Sequence, residues 1–131
     1  IYWLAVIYLN YAEACAELGS ISQTDLDNTI NKLRDRAGLP HLTTEVGFTD
    51  PKNDRGVSDL IWEIRRERRS ELMCDNWFRY WDLVRTGLAA SVLVPDQYGY
   101  RTNAWTESKK YIPIAQAEID AAQGTLVQNN Y

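Results

Sequence analysis

An all-α fold is what this sequence predicts, and three observations predict it. Apolar residues recur at helical offsets in four separate stretches. Residues that start and stop helices sit at the ends of those stretches. No series of strand-like runs appears, since only parts of the last 21 residues read as extended.

The first stretch carries Leu4, Ile7, Tyr8, Tyr11, Cys15 and Leu18 on one helical face, and Gly19 stands where a left-handed cap is wanted. A helix over 1–18 with that face buried is expected. Ser22 followed three residues on by Asp25 is a capping-box variant. It opens a second predicted helix, 22–37, with the stripe Leu26, Ile30, Leu33 and Ala37, which Gly38 and Pro40 stop. A link of about four residues leaves two amphipathic helices little choice but antiparallel packing. The expectation is a tetratricopeptide-like helical hairpin, in a single copy, so no repeat array is predicted.

From Leu39 to Gly56 the chain turns polar, with Asp50, Pro51, Asn53 and Asp54. Loops of this length tend to be functional or mobile. A third helix is expected over 58–73, with Leu60, Ile61, Ile64 and Leu72 apolar, and a fourth over 76–86, ended by Gly87. Residues 95–110 form a second polar loop, and the tail holds one short helix, Gln116 to Ala121. Two helices after the hairpin, joined by long loops, complete the predicted architecture.

With 131 residues, 45% apolar and 24% charged, the chain suits one domain with a hydrophobic core. Its net charge of −4, from 14 basic and 18 acidic residues, gives no attraction to phosphate backbones, so no nucleic-acid partner is expected. No apolar run is long enough to span a membrane, because Asn10 and Glu13 interrupt the longest. The helical pattern begins at Ile1 with no capping residue and no leader before it. The chain is therefore expected to be a piece of something longer. Cys15 and Cys74 lack any CxxC or Cys/His company and read as small buried hydrophobes instead of a disulfide.

The third helix puts charges where its pattern demands burial. Arg65, Arg66, Arg68 and Arg69 interleave with Glu63, Glu67 and Glu71. A basic helix for nucleic acid and an acid/base carboxylate pair are the functional alternatives. Near-cancellation of the charges favours a structural ion-pair network through Glu67, Arg68 and Glu71, because an unpaired buried ion costs several kcal/mol. In the fourth helix Trp77, Tyr80, Trp81 and Val84 share a face, which reads as core. The loop aromatics Tyr98, Tyr100 and Trp105 stand among Asp96, Gln97, Arg101, Thr102 and Asn103. Such a mixture suits stacking on sugar rings and bonding their hydroxyls, so these three are the candidate ligand-binding residues. No catalytic residue and no cofactor are expected. His41 stands alone, no GxSxG, HExxH or glycine-rich phosphate loop occurs, and the spacing of Asp50, Asn53 and Asp54 matches no EF-hand metal site.

Three stretches together resemble the SusD/RagB family of nutrient-binding outer-membrane lipoproteins of Bacteroidetes-type bacteria. AVIYLNYAEACAELG with INKLRDRAGLP is similar to the family's hairpin. IRRERRSELMCDNWFRYWDLVRTG looks like its ERR-x-EL helix and the aromatic helix after it. YIPIAQAEID with TLVQNNY looks like its closing segment. The matches keep the family's order across nearly the whole chain. Departures are Trp3 and Val6 where an arginine and a glutamate are usual, one extra residue between Glu71 and Arg79, and Ala115 and Asn130 for prolines. The resemblance implies that 1–131 is the C-terminal region of a cell-surface protein that binds a glycan or other nutrient. By the same resemblance, the whole protein is held to the outer membrane by a lipid anchor outside this chain and serves a TonB-dependent transporter. The rival reading is a free-standing helical module that docks peptides. A small hydrolase using Glu67 and Glu71 is weaker, since residues four apart on a helix stand side by side and not across a substrate.

Overall fold

The computed structural model describes residues 3–75, 77–95, 105–111 and 114–128. It forms two compact units, Ile1–Asn76 and Trp77–Tyr131. The first holds helices α1 (Leu4–Glu17), α2 (Gln23–Asn28), α3 (Ile30–Ala37) and α4 (Asp59–Glu71). The second holds α5 (Phe78–Arg85), α6 (Ala89–Val92), a 3-10 turn (Glu107–Lys110) and α7 (Gln116–Ala121). Among the described residues there is no strand.

In the first unit α1 packs on α4 and α3, with α2 alongside. The buried side of α1 is Ala5, Val6, Leu9, Ala12, Glu13 and Ala16. Three alanines on this side leave room for the neighbouring backbones to come close. Facing them are Leu26, Ile30, Leu33 and Ile64, and Leu9, Leu26, Ile30 and Ile64 are wholly excluded from water. This overturns the expected stripe of α1. Leu4, Ile7, Tyr11 and Leu18 are 62, 52, 50 and 81% exposed, on the side of the helix opposite the core. Both sides of α1 are apolar, so periodicity alone marks two candidate faces. The helix ends at Gly19, whose φ of +66° meets the left-handed requirement.

The predicted second helix is broken in two. At Thr29 the backbone turns to φ −128° and ψ −90°. The buried Thr29 hydroxyl donates to the Asp25 carbonyl at 2.5 Å, and its N–H donates to Leu26 at 3.2 Å. The apolar stripe continues across the break, which is why the two halves read as one helix. At the start of α2 the capping box is complete. Ser22 Oγ accepts from the Asp25 N–H at 3.2 Å, and the Asp25 carboxylate accepts from the Ser22 N–H at 2.8 Å. Tyr11 donates its hydroxyl to the same carboxylate at 3.0 Å, which ties α1 to the cap.

The loop after α3 is pinned at both ends. Buried Asn31 accepts from the Leu42 N–H at 2.7 Å and donates to the Leu42 carbonyl at 3.0 Å, so its amide replaces a backbone partner. Leu42 is thereby held in the core. Near α4, Trp62 donates its indole N–H to Asp50 at 3.1 Å and Thr49 donates to Asp59 at 2.8 Å. The expected mobility of this loop does not apply to these anchored ends.

Helix α4, capped by Ser58, turns its charges inward. Glu67 receives Arg34 of α3 at 2.9 Å, with both side chains nearly buried. Glu63, itself buried, lies 3.7 Å from the same guanidinium and also pairs with Arg66. The hydrogen bonds that Arg66 donates to Glu63 hold the Arg66 guanidinium above its ordinary pKa. Arg65 reaches Glu13 of α1 at 3.0 Å and Glu17 at 2.8 Å. Arg68, also buried, donates to Asn10 of α1 at 2.7 Å. Arg36 of α3 pairs with Glu71 at 2.5 Å, but the Arg36 side chain is 61% exposed.

In the second unit Leu83 and Ala89 form the buried centre of the α5–α6 turn. Tyr80 donates to the Lys109 carbonyl at 2.7 Å, and the Gln128 amide bonds the backbone of Ile114 in both directions at 3.0 Å. The sequence-based boundaries omit α6 and the 3-10 turn, each only four residues long and without a helical stripe.

The two arginines of α3 should differ in their contribution. Arg34→Ala leaves Glu67 buried without its partner and should destabilise the fold by about 3–5 kcal/mol. Arg36→Ala should cost less than about 1 kcal/mol, because water screens an exposed pair. Urea denaturation of both variants checks this, and equal losses would contradict it.

The cap gives a prediction in pH. Hydrogen bonds from the Ser22 side chain, its backbone and Tyr11 hold the Asp25 carboxyl below the usual carboxylate range. The bond to Asp25 likewise pushes the Tyr11 hydroxyl up to about 12. The stabilisation from Asp25 is complete above the unfolded carboxyl value, about 4, and is lost as pH falls through the lower folded value. That from Tyr11 is complete below about pH 10 and is lost as pH rises towards 12. Carbon-detected NMR titration should show Asp25→Asn returning the Tyr11 phenol to an ordinary value. An unmoved titration would remove the link between α1 and the cap.

Candidate functional site

Of the three loop aromatics predicted to meet a ligand, Tyr98 and Tyr100 lie outside the described residues. Trp105 is half-buried, just before the 3-10 turn. Its backbone N–H donates to the Leu93 carbonyl at 3.2 Å, which anchors the end of the loop to the turn after α6. Its indole Nε1 is buried, with no hydrogen-bond partner among the described residues. An unmet indole donor is uncommon, and it singles out Trp105 within the second unit.

Two of the aromatics that spacing assigns to the core, Trp77 just before α5 and Trp81 within it, are not core. Trp77 is 74% exposed and Trp81 42%. They stand one turn apart, with Arg85 on the same side and Arg85 Nε held by Asp82 at 2.8 Å. The buried residue of this helix is Leu83. Tyr80 meets the edge of Trp81 with ring centroids 5.0 Å apart and planes at 80°, an arrangement that fixes the Trp81 ring. Exposed indoles at this spacing offer flat apolar faces bordered by a guanidinium, a surface able to stack on a sugar ring or another apolar group. The spacing could have revealed this only together with knowledge of which elements pack on α5.

The charged candidates occupy a different setting. Glu67, Arg68 and Glu71 all lie in the first unit, with Arg34, Asn10 and Arg36 as their partners. Glu67 and Glu71 each engage a guanidinium, so neither is poised as a base. His41 Nε2 lies 2.6 Å from the exposed Asp35 carboxylate. The Asp50 carboxyl is held below its usual range by the Lys52 N–H and then by Trp62, while Asn53 donates to the Val57 carbonyl at 3.0 Å. These polar groups bond the loop's own backbone and the side chains of α4. Among the described residues no group of three or more His, Cys, Asp or Glu side chains is placed to hold a metal ion. Both cysteines are free. Cys15 is half-buried, whereas Cys74 is exposed, contrary to the buried thiol expected there. Cys74 sits in the turn beyond α4 with a φ of +65°.

Comparison with known proteins gives a consistent result. The sequence model of the SusD family matches residues 1–131. A SusD-like protein of Formosa agariphila is 36% identical over 84 residues, covering 64% of this chain and 16% of its own length. Surface glycan-binding protein A of Bacteroides thetaiotaomicron, solved in complex with laminarihexaose, is 45% identical with a TM-score of 0.66. It matches all of this chain and 24% of its own. Surface glycan-binding protein A of Bacteroides uniformis is 38% identical, with a TM-score of 0.72 over 98% of this chain and 26% of its own. The chain thus spans about a quarter of the solved relatives and less of the curated one. With a family match over its full length and a helical fold shared with these structures, the chain belongs to the SusD family.

Proposed function

We propose that residues 1–131 are the C-terminal helical region of a longer glycan-binding protein of the bacterial cell surface, and that it binds without catalysis. The observation that carries this reading is the 45% identity, over the whole chain, to a surface glycan-binding protein solved with laminarihexaose. Pairing of Glu67 with Arg34 and of Glu71 with Arg36 supports the non-catalytic part, since these carboxylates hold helices together. By family likeness the whole protein lies at the outer membrane, held by a lipid anchor outside this chain, and passes its glycan to a TonB-dependent transporter.

Within the protein, this region acts mainly as scaffold. Sugars are held by several rings and hydrogen-bonding groups converging on one place. The contribution we assign here is the loop of Tyr98, Tyr100 and Trp105, and a lone exposed ring contributes only about 1 kcal/mol. That barely offsets the freedom lost on binding.

Isothermal titration calorimetry against laminarihexaose and a panel of other oligosaccharides tests the proposal. The complete polypeptide should bind at least one of them, and residues 1–131 alone should bind weakly or not at all. Tight binding by residues 1–131 alone, abolished by Trp105→Ala, would replace the scaffold role with a complete site. Absence of any glycan binding by the complete polypeptide would favour the peptide-docking module.

A further inference from the structure

We propose that the exposed indoles of Trp77 and Trp81 form an auxiliary contact for an oligosaccharide, extending the glycan site of the complete protein along α5. The proposal rests on the reading of that protein as a glycan binder.

The two rings stand in a row. Trp77 directly precedes α5 and Trp81 lies four residues on, so they share one side of the helix about 6 Å apart along its axis. Arg85 follows on that side, its Nε held by the Asp82 carboxylate at 2.8 Å. Leu83, on the opposite side, is the residue that α5 buries. Trp77 is 74% exposed and Trp81 42%, which forgoes the burial that usually accounts for a tryptophan in a fold. Among the described residues neither indole N–H is engaged.

Trp81 is also braced. The Tyr80 ring packs against it at near right angles, so a ligand that stacks on Trp81 does not have to immobilise it first. Tyr80 uses its hydroxyl to donate to the Lys109 carbonyl at 2.7 Å. Lys109 stands four residues beyond Trp105, whose backbone N–H is tied to Leu93. One tyrosine therefore braces Trp81 and joins α5 to the end of the loop that carries Tyr98, Tyr100 and Trp105. The row thus adjoins, through a fixed connection, the segment already assigned to ligand binding.

The chemistry of the row selects the occupant. A pyranose ring has a face of C–H groups that lies flat on an indole, and rim hydroxyls that accept from an N–H. Two rings one helical turn apart suit consecutive units of a chain better than one compact ligand. A docked peptide helix needs a long groove, and α5 is only eight residues long. An anion is not selected, because Arg85 is already paired with Asp82. Open rings bind weakly alone. A glycan held elsewhere in the protein presents its next units at high effective concentration, so even open rings contribute.

Hydroxyl-radical footprinting of the complete polypeptide, with and without saturating laminarihexaose, tests this. If laminarihexaose does not bind, the tightest ligand of the oligosaccharide panel takes its place. Trp77 and Trp81 should be oxidised at the rate of open indoles in the free protein and severalfold more slowly in the complex. Slow oxidation before saccharide is added would overturn the proposal, because the rest of the polypeptide would then cover the rings. A rate unchanged by saccharide would overturn it as well. In calorimetry Trp77→Ala and Trp81→Ala should each weaken binding about fivefold. Trp77→Tyr and Trp81→Tyr, which keep a stacking face, should retain most of the affinity. Equal losses from the alanine and tyrosine variants would contradict stacking. Should an alanine variant fail to fold, the wild-type footprint decides. The failures separate cleanly. Absence of binding by every oligosaccharide sinks this proposal together with the reading beneath it. Binding that leaves both rings open sinks this proposal alone.

Discussion

The pairing of buried Arg34 with Glu67, and with Glu63 beside it, is the constraint on which the first unit depends. A guanidinium with little access to water requires several acceptors around it, and the carboxylates of α4 together with the Pro40 carbonyl at 3.1 Å supply them. This fixes α3 against α4 and holds the start of the following loop. On the other flank of α4, Arg65 and Arg68 fix α1 through Glu13, Glu17 and Asn10. Helix α4 therefore joins two helices through charge, with Ile64 as the apolar residue at its centre.

Such an arrangement compensates for a thin core. The apolar contacts of α1 are largely alanines, each burying little area, so directional bonds carry more of the specification of which helix meets which. Ion pairs with defined geometry reject a slipped register, because a shift of one residue would leave Glu63 or Arg34 buried without a partner. The same economy appears in the loops. Asn31 and Gln128 each use one side-chain amide to satisfy both backbone groups of a distant residue, Leu42 and Ile114. Long connections are thereby held without strands.

Legibility in the sequence followed the range of the interaction. Features decided within a turn of helix were readable, among them the Ser22–Asp25 box, the left-handed Gly19, the stop at Gly38, and the bounds of α7. For the charges of α4 the alternating signs pointed to partners, because unpaired burial is so unfavourable. Partners themselves were not, since Arg34 and Glu67 are 33 positions apart. The break at Thr29 escaped because the apolar period runs through it. The exposure of Trp77 and Trp81 escaped because aromatic spacing gives the composition of a face and not its neighbour. Of the candidate site, Trp105 alone is among the described residues, and its unmet indole N–H is a property of three-dimensional packing that no spacing encodes.

The two faces of α1 show how a misread face can still be informative. Leu4, Ile7, Tyr11 and Leu18 form a regular apolar stripe, and the stripe on the other side, Ala5, Leu9, Ala12 and Ala16, is regular as well. Larger residues dominate the first stripe, so a reading weighted by hydrophobic size selects it as the buried one. Within this chain the smaller residues are buried instead, because Glu13 lies on their side and meets Arg65. Ion pairing thus decides orientation between two apolar alternatives. Turning α1 by half a revolution would bury the larger side chains but would carry Glu13 away from Arg65 and Asn10 away from Arg68, stranding charge in α4. The larger stripe is left outward by that electrostatic requirement.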